Sequence, residues 1–251
     1  MQRQPVFNVP GMVLALATAL VAIHAILALV DVETANYWIV ALAFIPARFA
    51  EGGLTLPGGE IAAVSSWLTH AFVHGDLMHL GVNLAFFLAF GAACVRRIGA
   101  VSFAGLMIAS TVAGAAVYLL FNGRAEVVMI GASGAISGLV GAVLRFLYPA
   151  LLVGRSMRLA EAATLVPRLS LKGMWREREP RRAVLAWLAL NFILAVALPM
   201  AGLTSPIAWE AHLGGFLVGL LLFSWFDRKH GEIDSLAPLV GDEADDDVTP
   251  A

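Results

Sequence analysis

Long apolar runs alternate with short polar breaks along this chain. Six runs are long enough to cross about 30 Å of hydrocarbon, which takes about 20 helical residues. They are 12–30, 77–95, 100–121, 132–150, 183–201 and 208–226. None alternates with period 2, as a membrane barrel would, and open sheet edges cannot face lipid. The expected fold class is therefore all-α: a polytopic membrane protein with a bundle of six transmembrane helices over 12–228. Residues 1–11 form a short segment before it. Residues 31–66, with Pro46, Pro57 and paired glycines, read as a long loop. A loop of that length is commonly functional or partly embedded. The acidic segment 229–251, with its "DEADDD" run, reads as a disordered tail.

Composition and charge agree with a membrane and add an orientation. Hydrophobic residues make up 60% of the chain and charged ones 14%, where a soluble protein carries about 25% charged. Mean hydropathy is +0.83. The net charge of -2 argues against a nucleic-acid partner. Cys94 is the single cysteine, so no intrachain disulfide forms. The first run lacks a following small-residue cleavage site and reads as an anchor. Arg96 and Arg97 separate the second and third runs, and Arg228 and Lys229 follow the sixth. Segment 151–182 carries eight cations against three carboxylates, net +5. The loop 31–66 holds Asp31, Glu33, Glu51 and Glu60 against Arg48 alone. The positive-inside rule puts both termini and the basic loop 151–182 in the cytoplasm, with 31–66 outside; Arg3 agrees. The sequence shows no internal repeat of the inverted-repeat transporter kind.

The informative residues are polar ones at the edges of these runs. His70, His74, His79 and Asn83 precede or begin the second run; Ser133 and Ser137 begin the fourth; His212 begins the sixth; His24 stands alone in the first. Runs two, four and six all enter from the outer side. His79, Asn83, Ser133 and His212 therefore share one depth, and polar groups there are costly without partners. Gly134 and Gly138 form one small-residue stripe; Gly215 and Gly219, extended by Ala211, form another. Such stripes let helix backbones approach closely. Packing the fourth run on the sixth would bring the Ser133 hydroxyl toward the His212 imidazole.

A serine needs a base to become a nucleophile, and histidine suits that task. The interiors of runs two to six hold no carboxylate, and Glu210, at the start of the sixth, is two residues from His212 and points to a different face. The residues allow a Ser–His dyad rather than a buried triad. Ser133 at a helix start has free backbone N–H groups for an oxyanion, and His79 and Asn83 add side-chain donors. Gly131 permits a tight bend before the serine.

These residues resemble a rhomboid intramembrane serine protease over residues 60–228. Gly131-Ala132-Ser133-Gly134 matches the GxSG motif, His79 and Asn83 match HxxxN, and Ala211 to Gly219 matches AHxxGxxxG. The resemblance implies Ser133 as nucleophile and His212 as general base and acid. It implies His79, Asn83 and the Ser133 N–H as oxyanion hole, and His74 as a support above the second helix. It implies a six-span rhomboid-like bundle, no cofactor, no metal, and a transmembrane protein substrate cut near the outer end of its helix. The fifth span and the loop before the sixth would form a mobile entrance. The expected location is a bacterial inner membrane. Two features depart from the family: "SSWLT" has Trp67 but no following arginine, and Ser137 replaces an aromatic four residues after the nucleophile. His212 must then be oriented by another group, or by Ser137.

Blander readings stand beside these. Ser137 reads first as a helix-packing serine, and His79 with Asn83 could simply pin the second helix. His70 reads as a loop or interface residue, and His24 is assigned no function. His70, His74 and His79 have the wrong spacing for one metal-binding helix face. The rival functions are a rhomboid-like chaperone that binds membrane helices without cutting, and a small transporter.

Overall fold

The computed structural model describes residues 9–50, 56–154, 157–197, 200 and 207–239. Arg3, Glu51, Arg155 and the "DEADDD" run lie outside the described residues.

Among the described residues, nine helices make up most of the structure. α1 (Gly11–Leu29) is apolar all round and buries Val13, Ala17 and Leu20 along one stripe; the rest of its surface suits lipid. α4 (Leu77–Asn122) has 46 residues, about 69 Å of helix, enough for two crossings. It breaks at Gly99, whose φ of 77° interrupts the helix. The bilayer-length segments are thus α1, the two arms of α4, α5 (Ser133–Val153), α8 (Arg178–Phe192) with its π-helical extension Ile193–Ala197, and α9 (Trp209–Phe226). The chain is a polytopic membrane protein with a helical bundle.

α5 is the axis of the bundle. Fifteen of its 21 residues are buried, and α4 and α9 pack along it. Leu139, Ala142, Phe146 and Phe223 sit in the main apolar core. The α5–α9 contact is backbone on backbone: a Cβ added to Gly215 would stand 1.8 Å from the Gly134 carbonyl oxygen, and one on Gly219 1.8 Å from that of Gly138.

The segment expected to be a long loop, 31–66, is largely helical. α2 (Val32–Leu42) starts at Asp31, whose carboxylate accepts the Thr34 N–H at 2.9 Å, and α3 (Gly59–Thr69) follows a 3-10 turn at Pro46–Phe49. Both helices have 11 residues, too few to cross a membrane, so run length hid them. Arg48 donates to the carbonyls of Val40 (2.5 Å) and Pro57 (3.0 Å), which ties the loop to itself. Phe44 forms a two-way backbone bridge with Met129 (3.0 and 2.9 Å). That bridge fixes this segment beside the turn that leads to Ser133.

At the opposite end, the basic segment folds into α6 (Leu159–Ala162), β1 (Arg168–Leu169) and α7 (Leu171–Arg176). The beginning of the tail expected to be disordered is ordered. β2 (Glu232–Ile233) pairs in parallel with β1, and a 3-10 turn follows at Ala237–Leu239. Charge explains this: Asp227 pairs with the fully buried Arg97 at 2.8 Å, and Glu232 with Arg168 at 2.9 Å and Arg145 at 3.1 Å. Arg145, deep in α5, also donates to the carbonyls of Leu169 and Leu220, at 2.6 Å each.

Candidate active site

The starts of α4, α5 and α9 meet at one end of the bundle. The approach to α5 is a turn that only glycine can make. Gly131 has φ +112°, and a Cβ there would lie 2.7 Å from His79 Nε2. Its N–H donates to the His70 carbonyl at 2.9 Å. The next N–H, of Ala132, donates to His74 Nε2 at 3.4 Å. Ser133 follows as the first residue of α5, where backbone N–H groups lack helical acceptors.

Burial keeps the two turn-holding histidines neutral. His70, whose Nδ1–H donates to the Ser66 carbonyl at 2.7 Å, is pushed down to about 4 by desolvation. Desolvation, reinforced by His79, pushes His74 down to about 4 as well. A neutral His74 keeps the Nε2 lone pair that the Ala132 N–H needs.

His212 lies in the first turn of α9, and the glycine seam places it against Ser133. Its Nε2 is 2.8 Å from Ser133 Oγ. Its other nitrogen, Nδ1, is 2.8 Å from Asn191 Oδ1 on α8. These groups face a cavity of about 140 Å3 lined by Asn83, Phe86, Ser133, Trp187, Asn191 and His212. The cavity is apolar apart from a few convergent polar groups, the usual make-up of a binding site.

The oxyanion candidates are placed unequally. Asn83 reaches the cavity; its Nδ2 donates one hydrogen to the His79 carbonyl at 2.8 Å, and its buried Oδ1 has no partner among the described residues. His79 packs its ring edge-on against His74, with centroids 5.1 Å apart, and its Nε2 faces Gly131 rather than the cavity. Its backbone N–H is held by the Asp76 carboxylate at 2.7 Å, capping α4.

Ser137 does not aim His212. Its hydroxyl donates to the Ser133 carbonyl at 2.8 Å, four residues back on its own helix. Such back-bonding is the ordinary fate of a serine inside a membrane helix. The group facing His212 Nδ1 is Asn191, which belongs to none of the three sequence motifs. The sequence does carry a signal for it: Asn191 is the sole amide in the run 183–201, and a polar side chain at membrane depth calls for a partner.

Residues 62–229 match the rhomboid domain. Rhomboid protein 1, mitochondrial, of Saccharomyces cerevisiae is 27% identical over 189 residues, covering 72% of this chain and 47% of the relative. Rhomboid protease GlpG of Yersinia pestis and of Yersinia pseudotuberculosis are each 28% identical over 164 residues, covering 65% of this chain and 48% of the relative. The chain spans about half the length of the curated relatives it matches. Because the rhomboid-domain match spans more than half of the chain and includes α4, α5, α8 and α9, the chain belongs to the rhomboid family.

Proposed function

We propose that this protein is an intramembrane serine endopeptidase that cuts transmembrane protein substrates. The observation that carries the reading is the 2.8 Å contact between Ser133 Oγ and His212 Nε2 in a small apolar cavity. A serine hydroxyl set against an imidazole nitrogen in an otherwise apolar site is arranged for proton transfer.

The chemistry follows from the atoms present. Ser133 Oγ attacks the scissile carbonyl carbon while its proton passes to His212 Nε2. The carbonyl oxygen becomes an oxyanion, facing the Ser133 N–H and the second hydrogen of Asn83 Nδ2. His79 lies behind Gly131 in the same turn, and its Nε2–H is the third candidate donor. The tetrahedral adduct collapses, and His212 gives its proton to the departing amine. Water, deprotonated by His212, then hydrolyses the acyl-enzyme, and Ser133 recovers its proton. No step uses a cofactor.

The substrate class is a membrane helix with an unwound or helix-poor stretch near its outer end, since a peptide bond inside an intact helix cannot reach Ser133. The distribution of Lys and Arg supports an orientation with the site near the outer face and both termini in the cytoplasm, as in a bacterial inner membrane.

Labelling by a fluorophosphonate, and cleavage of a tagged single-pass membrane protein, test the reading. Both are expected in the parent and absent in Ser133→Ala and His212→Ala. Equal labelling and cleavage by Ser133→Ala and the parent would sink it. Retained substrate binding with no cleavage by the parent would identify a helix-binding relative instead.

A further inference from the structure

α8 contributes one polar group to the bundle. Of its fifteen residues only Pro180, Val184 and Asn191 are buried. Asn191 uses both halves of its amide. Nδ2 donates to the Trp209 carbonyl at 3.3 Å, and Oδ1 faces His212 Nδ1 at 2.8 Å.

These two contacts decide the state of the imidazole. The Trp209 carbonyl can only accept, so the amide must present its NH2 there and its oxygen to His212. The oxygen can only accept, so His212 Nδ1 must carry the hydrogen. The lone pair is then on Nε2, facing Ser133 Oγ, the arrangement a general base requires.

A second contact sets the register. Trp187 is one turn before Asn191 on α8, and Phe216 is one turn after His212 on α9. Their rings stack with centroids 4.0 Å apart and planes within 7°. α8 is thus docked on α9 by two rungs, an aromatic stack and an amide–imidazole bond, on matched faces.

We propose that Asn191 is a positioning residue for His212, selecting its Nδ1–H tautomer and fixing its ring, so that the reactive unit is Ser133–His212–Asn191. The proposal rests on the reading of Ser133 and His212 as the reacting pair. An amide holds the ring as a carboxylate would, without burying a charge in the membrane. It also makes the aim of the base a property of α8, not of the seam that holds Ser133 and His212 together.

The test uses the full chain in phosphatidylethanolamine/phosphatidylglycerol vesicles, with fluorophosphonate labelling rate measured against pH and thermal stability measured in parallel. Asn191→Ala is expected to label about 10- to 100-fold more slowly than the parent, with a midpoint within a few degrees of it. Asn191→Asp is expected to recover most of that rate. Its acid limb should lie at higher pH, because a carboxylate facing the ring favours the imidazolium; a merely structural residue would not move that limb. Asn191→Ala labelling within twofold of the parent overturns the proposal. So does an Asn191→Asp variant as slow as Asn191→Ala, or one whose acid limb sits where the parent's does. A parent that does not label removes the reading of Ser133 and His212 and this proposal with it, which separates the two failures.

Discussion

α5 and α8, the latter with its π-helical extension, are both of membrane length and touch the same cavity, yet they are held in opposite ways. α5 buries fifteen residues and meets α9 with no side chains between the backbones at Gly134–Gly215 and Gly138–Gly219. α8 buries three residues and meets α9 through Trp187 and Asn191. The first contact is rigid because nothing in it can rotate; it fixes the distance between Ser133 and His212. The second rests on side chains with rotamers, and on it depends the direction in which His212 points. Distance and aim are therefore set by different helices of different stiffness.

The sharpest way to break this comparison is to force the seam. Gly215→Ala places a methyl at 1.8 Å from the Gly134 carbonyl oxygen, a clash that only separation of the helices relieves. Overpacking of this kind costs about 3 kcal/mol or more where backbone must move. Thermal unfolding in detergent should show a midpoint lowered by ten degrees or more, with Ser133 labelling lost in the same sample. A midpoint within two degrees of the parent would show the seam to be softer than its geometry.

The far end of α9 offers the next largest effect. Asp227→Ala leaves the fully buried Arg97 charge without its carboxylate. Breaking a buried pair from one side costs about 3–5 kcal/mol. Stability measured by denaturant should fall by that order, while labelling per folded molecule stays near the parent, because the seam and α8 are untouched.

Loosening α8 should do the converse. Trp187→Ala removes the stack on Phe216 but leaves every polar group in place. Labelling is expected to slow several-fold with only a modest loss of stability, about 1–2 kcal/mol. A rate equal to the parent's would mean that the Asn191 bond alone holds α8 in register.

The smallest effect is a pH dependence of the turn before Ser133. His70 and His74 have folded values near 4, lowered by burial from an ordinary 6.5. The unfolded chain therefore takes up protons first as pH falls. Their contribution to stability is complete above about pH 6.5, declines between 6.5 and 4, and is level below that. The unfolding midpoint should be lower at pH 5 than at pH 7.5. His74→Gln, which stays neutral and can still accept the Ala132 N–H, should flatten the slope.

Much of the bundle was legible because bilayer thickness imposes a length that apolar runs must meet. The third and fourth runs, 100–121 and 132–150, lie close to the second arm of α4 and to α5. The fifth was placed late: α8 begins at Arg178 because charged residues can continue a helix beyond the hydrocarbon. α2 and α3 were missed because neither reaches spanning length. Acidity alone predicts disorder for the tail, but at its beginning Glu232 and Asp234 find Arg145, Arg168 and Ser170 more than 60 residues away in the chain.

By itself the sequence determined the spanning helices, the glycine spacing that lets two of them touch, and the motif residues Ser133, His212, His79 and Asn83, because each is a local pattern or a local length. Only the tertiary structure decided that Ser137 bonds its own helix, that His79 backs the Gly131 turn rather than lining the cavity, and that Asn191 holds His212. Those are questions of which side chain meets which across helices, and a hydrogen bond between residues 21 apart leaves no periodic mark along the chain.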